Sequence, residues 1–404
     1  MFVELHLLQN FAPSNLNRNE FGAPKDCEFG GVRRARISSQ CFKSAIREYF
    51  EGKHLLEGML GARTWKIKEI LEDAFKKARK DDAEIAVVIK AVLASINMGI
   101  DKTGKTTYPL FIPGKNIDAL AGILLEDDTW ASIVATAPSE DKPQDDPTQK
   151  PAKKAGKKKA EKSKGNLPDD VKKRIDQIVA DHKAADIALF GRMMADTPTQ
   201  NVIAACQVAH AISTNKLNAK SDYFTAIDDF SKKEEPGASM IGTIEFNSAC
   251  FYRYMSVDLE QLKDNLDGDE ALARDTIKAF IQAVVKATPV GKQTTFSAQN
   301  PPSFVMCVLR SQDLWSLANA FETPASPTDS KGLVNVSIDK MITYLDRMAN
   351  IFSSDGILKI IMTGVNVDDV KDSIKIGTVM AEKAETFANF MTSVVDSLSF
   401  EQRA

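Results

Sequence analysis

The sequence predicts an α+β fold: a strand–helix–strand–strand–helix–strand sheet divided by a large helical insertion. Three observations predict it. The chain opens on MFVELHLL, where Val3, Leu5 and Leu7 alternate onto one face, as a half-buried strand requires. Sheet-like sequence then returns late, in the aromatic-rich FNSACFYRYMSVDL and in SFVMCVLR, an unbroken apolar run suited to a central strand. Between these two lies DEALARDTIKAFIQAVVKAT, an amphipathic helix, while residues from about 53 to 135 are mostly helical by pattern.

The remaining elements follow in order. NFAPSNLNRNEFGAPKD is a loop, rich in Asn, Pro and Gly. Val32 to Ile37 reads as a short extended segment with Arg34 and Arg36 on one face and Ala35 and Ile37 on the other. Ser38 or Ser39 then caps a helix in which Phe42, Ile46 and Tyr49 or Phe50 fall at helical spacing. The helical region breaks at MGIDKTGKTTYP and FIPGKN. From Lys150 to Lys164 there are eight lysines in fifteen residues and no large apolar side chain; residues from about 139 to 165 are expected to be disordered, because nothing there offsets the entropy of ordering. DDVKKRIDQIVADHKAADIALF is helical, and TQNVIAACQVAHAIST, mainly apolar, is expected to form a second helix. DYFTAIDDFSKKEEPGASMIGTIEF reads as a long hairpin with a turn at Glu-Pro-Gly. SIDKMITYLDRMANIF spaces Ile338, Met341, Ile342, Leu345 and Met348 as a helix, and Thr378 to Leu398 is expected to be helical as well.

Composition narrows the function. The 404 residues carry a net charge of −3, so the chain is not a general polyanion coat and any anion site must be local. No window reaches the ~18 apolar residues of a membrane span, and the N-terminus lacks the features of a signal peptide. Five scattered cysteines, an odd number, suit reduced thiols in a cytoplasm better than a disulfide framework.

One stretch stands apart. FGGVRRARISSQCFKSAIR, Phe29 to Arg47, holds five cations (Arg33, Arg34, Arg36, Lys43, Arg47) and no acid. Lys43 and Arg47 share a helix face within the first two turns, where the helix dipole is positive; repulsion there costs about 0.3–1 kcal/mol per effect. A bound anion reverses both signs, and the free N–H groups after Ser38 and Ser39 point toward it. Gly30 and Gly31 permit close backbone approach. The segment therefore predicts phosphate binding, with several phosphates if Arg34 and Arg36 join; a solvated basic face is the alternative. Neither GxxxxGK[ST] nor GxGxxG occurs there, so no nucleotide cofactor is expected.

Other chemistry finds little support. Cys206 and His210, at i and i+4 in CQVAH, offer two zinc ligands, but no second pair has metal spacing; a packed core helix is the preferred reading and no metal is expected. His6 is the nominal base of a metal-independent ribonuclease, against a half-buried strand histidine; no catalytic residue is expected. FYRY, Phe251 to Tyr254, suits either base stacking or core packing. In GRMM, Arg192 and the flexible Met193 and Met194 follow Gly191.

The segment NFAPSNLNRNEFGAPKDCEFGGVRRARISSQCFKSAIR closely resembles the N-terminus of the backbone subunit of Cascade, the type I-E CRISPR surveillance complex, the CasC family. The likeness continues in DIALFGRMMAD, VAHAISTN, DYFTAIDD, FNSACFYRY, GKQTTFSAQNP and SLANAFE, in the expected order as far as about Glu322. The stretch from about 50 to 180 and the C-terminal part match only weakly. The resemblance implies an RRM-like palm over 1–48, 183–215 and 246–404, helical fingers over 49–182 and a thumb hairpin over 216–245. It further implies a non-catalytic subunit whose copies line up along one crRNA as a filament, holding its backbone while the bases pair with a target DNA strand. Partners would be copies of itself, the large, small, end-capping and repeat-processing subunits of Cascade, and a helicase–nuclease that the complex recruits, with no membrane and no cofactor. Carried over by position, RNA-backbone contacts include Arg18, Lys25, Ser38, Gln40, Lys43 and Arg47, with Arg33, Arg34, Arg36 and Ser39 beside them. Met193, next to Arg192, and Phe224 match positions that flank a base displaced by the thumb. Lys292 and Gln293 match a further RNA-facing loop, where Thr294 stands in place of an expected second cation. The lysine-rich segment is no part of the pattern. A repeat-cleaving endoribonuclease on a related RRM-like fold, and a self-assembling scaffold without nucleic acid, are the alternatives.

Overall fold

The computed structural model describes residues 1–101, 103–136, 167–194, 200–226, 240–366 and 374–400. The lysine-rich stretch expected to be disordered, and the Glu-Pro-Gly turn of the expected hairpin, lie outside them. The chain divides into two units: Met1–Glu57, Ala188–Phe190 and Ile203–Ala404 form the first, and Gly58–Ile187 with Gly191–Val202 the second.

The first unit begins with β1 (Phe2–Ser14), followed by β2 (Asp26–Phe29) and β3 (Val32–Ile37). The loop between β2 and β3 is Gly30–Gly31, at φ +60° and +69°. Two left-handed residues are what a two-residue type I′ hairpin demands. A Cβ on Gly30 would also strike the Glu322 carbonyl. The glycine pair expected to admit a phosphate thus serves a hairpin packed on its own chain. Helix α1 (Ser39–Gly52) starts at the N-cap Ser38, whose Oγ accepts from the Cys41 N–H, and it buries Phe42, Ala45, Ile46 and Phe50.

In the second unit β4 (Gly61–Thr64) pairs with β5 (Leu110–Pro113) beside helices α2 (Ile67–Lys77), α3 (Asp82–Ser95), α4 (Gly114–Leu125), α5 (Asp127–Thr136) and α6 (Asp169–Ala180). Their apolar stripes meet in one core, with Leu71, Phe75, Val88, Val92, Leu120, Trp130 and Ile175 buried. Residues 183–187 and 191–202 belong to this unit. The last three residues of helix α7 (Ala185–Phe190) belong to the first unit, and the chain returns to that unit again at Ile203.

There the expected second helix is two strands, β6 (Cys206–Val208) and β7 (Ala211–Ser213), both paired with β9 (Met240–Asp258). A short apolar run does not by itself distinguish helix from strand, and ladder partners on β9 decide it. β8 (Lys220–Ala226) pairs antiparallel with the start of β9, Lys220 opposite Phe246 and Ala226 opposite Met240. Then come α8 (Leu259–Asn265), α9 (Glu270–Lys286), α10 (Gln293–Phe296), β10 (Phe304–Arg310), a 3-10 turn at Ala318–Phe321, α11 (Leu333–Phe352), β11 (Ile357–Thr363), β12 (Lys375–Ile376), β13 (Val379–Lys383) and α12 (Phe387–Asp396). The end of the chain, expected to be helical from Thr378, is a strand first: β13 runs parallel to β11, and α12 starts only at Phe387.

The sheet order is β12-β13-β11-β10-β1-β9-β7-β3-β2, with β6 and β8 on other parts of β9. Its centre, β10-β1-β9-β7, is antiparallel throughout, with α1 following β3 and α9 lying between β9 and β10 in the chain. Both faces of this centre are covered. Leu8, Tyr252, Tyr254, Met306, Val308 and Met362 pack against Met341 and Leu345 of α11. On the other face Arg253 lies 4.2 Å from the Phe42 ring centre of α1 and donates to the Val284 carbonyl of α9. The FYRY aromatics are therefore core, and no open sheet face presents them to bases.

Candidate nucleic-acid interface

The loop after β1 is tied down by asparagines. Asn15 Nδ2 donates to the carbonyls of Gly22 and Glu245, and Asn19 Oδ1 accepts from the N–H groups of Phe21 and Ala23. Asn17 joins the loop to α1: its Oδ1 accepts from the Ser38 N–H at 2.9 Å, and its carbonyl accepts from the Lys25 N–H at 2.8 Å. Gly291 packs on this loop so closely that a Cβ would strike the Leu16 carbonyl, and Lys292 follows it in a left-handed conformation at φ 53°. The result is an open cleft of about 610 Å³ lined by Asn17, Arg18, Lys25, Ser38, Gln40, Cys41, Ser44, Glu48 and Gly291. Arg18 also lines a neighbouring cleft of about 320 Å³ with Phe21, Glu245 and Lys292.

The first turn of α1, which holds no acidic residue, opens on the larger cleft; Glu48, further along the helix, lines it as well and accepts from the Ser44 hydroxyl at 3.1 Å. Positive ends of peptide dipoles, Lys25 and Arg18 thus converge on one space, which suits a phosphate. Burial pushes the Cys41 thiol up to about 11 against the pull of Lys25, so no thiolate competes for these cations. Phe21, 86% exposed, offers a bare ring beside Arg18, suited to stacking on a base.

The structure sorts the predicted contacts. Arg18, Lys25, Ser38 and Gln40 meet in one cleft, and Lys292 shares the second with Arg18. Ser38 is buried and its hydroxyl is spent on the cap, so its part is to shape the helix start. Ser39 is half-buried with its hydroxyl near Gln40. Lys43 is half-buried on α1 and lies 5.4 Å from the Phe190 ring centre; Arg47 is half-buried one turn on. Arg33 is exposed and paired with the Asp26 carboxylate.

Three expected contacts are corrected. Arg34 is fully buried: Nη1 donates to the Ser213 and Thr214 carbonyls, and Nη2 to those of Phe321 and Glu322. Its guanidinium organises backbone from inside and meets no surface phosphate. Arg192 does the same in the second unit, donating to carbonyls of Phe111, Val179, Ala180, Asp181 and Gln200. Gln293 Nε2 donates to the Pro289 and Ala298 carbonyls and closes its own turn. In contrast Met193, beside Arg192, is 87% exposed. Phe224 stands on β8 opposite Gly242, and its ring fills the space a Cβ there would take.

The zinc pair does not form. Cys206 is buried on β6 and its thiol is pushed up to about 12 by burial, whereas His210 is exposed at the bend before β7. Among the described residues no cluster of His, Cys, Asp and Glu could hold a metal ion. His6 is buried, with Nδ1 2.9 Å from the Tyr252 hydroxyl; burial, and secondly the charge of Arg310, lower its pKa to about 3. It is a neutral core histidine. Sequence reasoning missed Asn17, Phe21 and Ser44, and weighed His210 only as a zinc ligand. Only Phe21, an aromatic in an otherwise polar loop, carried a readable signal.

Fold and site together define an α+β protein with a sheet whose central strands are covered on both faces and a cationic, anion-accepting cleft at a helix N-terminus. The particular family follows from comparison: the model described as "CT1975-like protein" matches residues 3–391, and the chain belongs to that family. A chain of a solved structure described as "CRISPR RNA-guided surveillance complex, pre-nicking" is 27% identical, with TM-score 0.80, covering 98% of this chain and 100% of its own. A second, described as "CRISPR RNA-guided surveillance complex", is 23% identical at TM-score 0.71 over 98% and 100%, and shares the fold. No curated protein matches. Among the described residues no helix is long and apolar enough to cross a membrane.

Proposed function

We propose that this chain is a non-catalytic crRNA-binding backbone subunit of a CRISPR surveillance complex. Several copies assemble along one guide RNA with the other Cascade subunits, hold its backbone for pairing with a target DNA strand, and leave cutting to a recruited helicase–nuclease. On this reading the first unit is an RRM-like palm, the second the fingers, and the β8–β9 hairpin the thumb. The observation that carries it is the cleft joining Arg18, Lys25, Gln40 and the acid-free start of α1, in a chain alike end to end to a subunit of an RNA-guided complex. Phosphate contacts position a nucleic acid without reading its sequence, which is what a guide that changes each time requires. The burial of His6 supports the non-catalytic reading over an endoribonuclease, which needs a base beside a bound 2′-hydroxyl.

The test is to purify the chain with its neighbouring operon products and size any nucleic acid extracted. Short RNA of uniform length, with nuclease-sensitive positions at regular spacing, is expected. Folded, assembled protein free of nucleic acid would sink the reading in favour of a scaffold. Cleavage of a CRISPR repeat by the chain alone would favour the enzyme.

A further inference from the structure

His210 is left over from the failed zinc pair, and its setting is unusual. Its Nδ1 lies 2.9 Å from Nη1 of Arg36. A guanidinium only donates, so this ring nitrogen must accept, and the imidazole is neutral with its proton on Nε2. Arg36 in turn is fixed by its Nε, which donates to the Asp26 carbonyl, and by its N–H, which donates to the Lys25 carbonyl at 2.9 Å. Arg36 and His210 thus form one basic pair at the sheet's margin, within the field of the Lys25 charge, and Lys25 also lines the main cleft.

The groups facing His210 are Arg36 from β3 and Lys25 from the segment before β2; burial, then Arg36, then Lys25 lower its pKa. The carboxylate of Asp26 on β2 is engaged by Arg33, and among the described residues no carboxylate pairs with Lys25, Arg36 or His210. Burial holds the neighbouring Cys27 thiol up, hence uncharged. Three donors with no acid between them leave a seat whose missing member is an anion.

We propose that Lys25, Arg36 and His210 seat one phosphodiester of the bound RNA: Arg36 Nη1 turns from His210 Nδ1 to a phosphate oxygen, and Nδ1, released, takes up a proton from solvent. This rests on the RNA-binding reading above. The sign follows from the charges. In the free chain two cations oppose protonation; a phosphate placed among them favours it, so the imidazole's pKa is higher in the complex than in the free chain. The protonated form therefore binds more tightly, and affinity rises as pH falls through the complex's value.

The experiment measures binding of a labelled single-stranded RNA to the full chain by fluorescence anisotropy at pH 8 and pH 6, across a salt series, with DNA of the same sequence alongside. Wild type is expected to tighten about fivefold or more at pH 6. His210→Ala is expected to be about threefold weaker at pH 8 and to show no such tightening, whereas His210→Lys is tight at both. At pH 6 alone, the slope of log K against log salt is expected to be about 0.7 shallower for His210→Ala than for wild type, one single-strand phosphate contact. If His210→Ala tightens with acid as wild type does, or the pH term appears on DNA only, the proposal is overturned while RNA binding stands. No RNA binding by wild type at any pH overturns both.

Discussion

Arg34 and Arg18 carry the same guanidinium into opposite tasks. Arg34 holds four carbonyls inside the first unit, and Arg18 stands exposed between two clefts. Arg34→Met leaves buried acceptors unpaired, at about 1–3 kcal/mol for each that water cannot reach. It is expected to cost about 3 kcal/mol or more, read as a lower urea midpoint with unchanged m-value. Arg18→Ala is expected to leave that midpoint in place and weaken RNA binding. Buried Glu4 and His6 make a second residue-scale case. Glu4 accepts from the Tyr254 hydroxyl and the Trp315 N–H, yet burial outweighs these bonds and Arg310 and raises its pKa from 4.5 to about 7. Between those values the folded state holds the extra proton, so Glu4 makes stability fall as pH rises. His6, lowered from 6.5 to about 3, does the reverse, because the unfolded state holds the proton. From pH 4.5 to 6.5 the two nearly cancel and wild-type stability is expected to be flat. Glu4→Gln removes one arm; its stability should then rise by about 1.4 kcal/mol per pH unit in urea titrations. Equal slopes in the two proteins would show that the pair does not titrate this way. None of this was legible in sequence: VRRAR alternates as though both Arg34 and Arg36 faced out, and only the tertiary carbonyls around Arg34 say otherwise.

At the scale of elements, α1 concentrates the candidate site. Its cap, its start and its buried stripe of Phe42, Ile46 and Phe50 could be read from spacing, because local rules fix all three. The strands β6 and β7 could not, since their identity depends on ladder partners 45 or so residues away in β9. The cleft itself was half legible. Its cations were visible in the sequence, but Gly291 packed on Leu16, which brings Lys292 beside Arg18, is a long-range contact. Lys43→Glu with Arg47→Glu tests the helix as a unit. The change loses a cation–π contact of Lys43 with Phe190 worth about 0.5–1 kcal/mol, and both side chains are only half-buried. Thermal unfolding is therefore expected to shift little while stable RNA association is abolished. A collapse of melting temperature would assign both residues to structure instead.

The whole molecule is slightly acidic, −3 over 404 residues, while its cationic cleft is local. That contrast was legible from composition and one segment, because net charge governs long-range attraction and local geometry governs grip. The segment Lys150–Lys164 separates the two contributions. Deleting it removes eight lysines and one glutamate and takes the net charge from −3 to −10. Every residue that lines the two clefts lies elsewhere in the chain. At physiological salt, charges more than about 8 Å from the RNA are largely screened. The deletion variant is therefore expected to hold RNA with an affinity within about threefold of wild type there, since contacts in the cleft set dissociation. At low salt the screening length grows to about 30 Å at 0.01 M, and the lost lysines no longer offset the acidic remainder. Association should then slow about tenfold or more, with dissociation unchanged, in stopped-flow measurements with labelled RNA. If RNA is instead lost at physiological salt through faster dissociation, the lysines touch the nucleic acid directly and the cleft is only part of the grip.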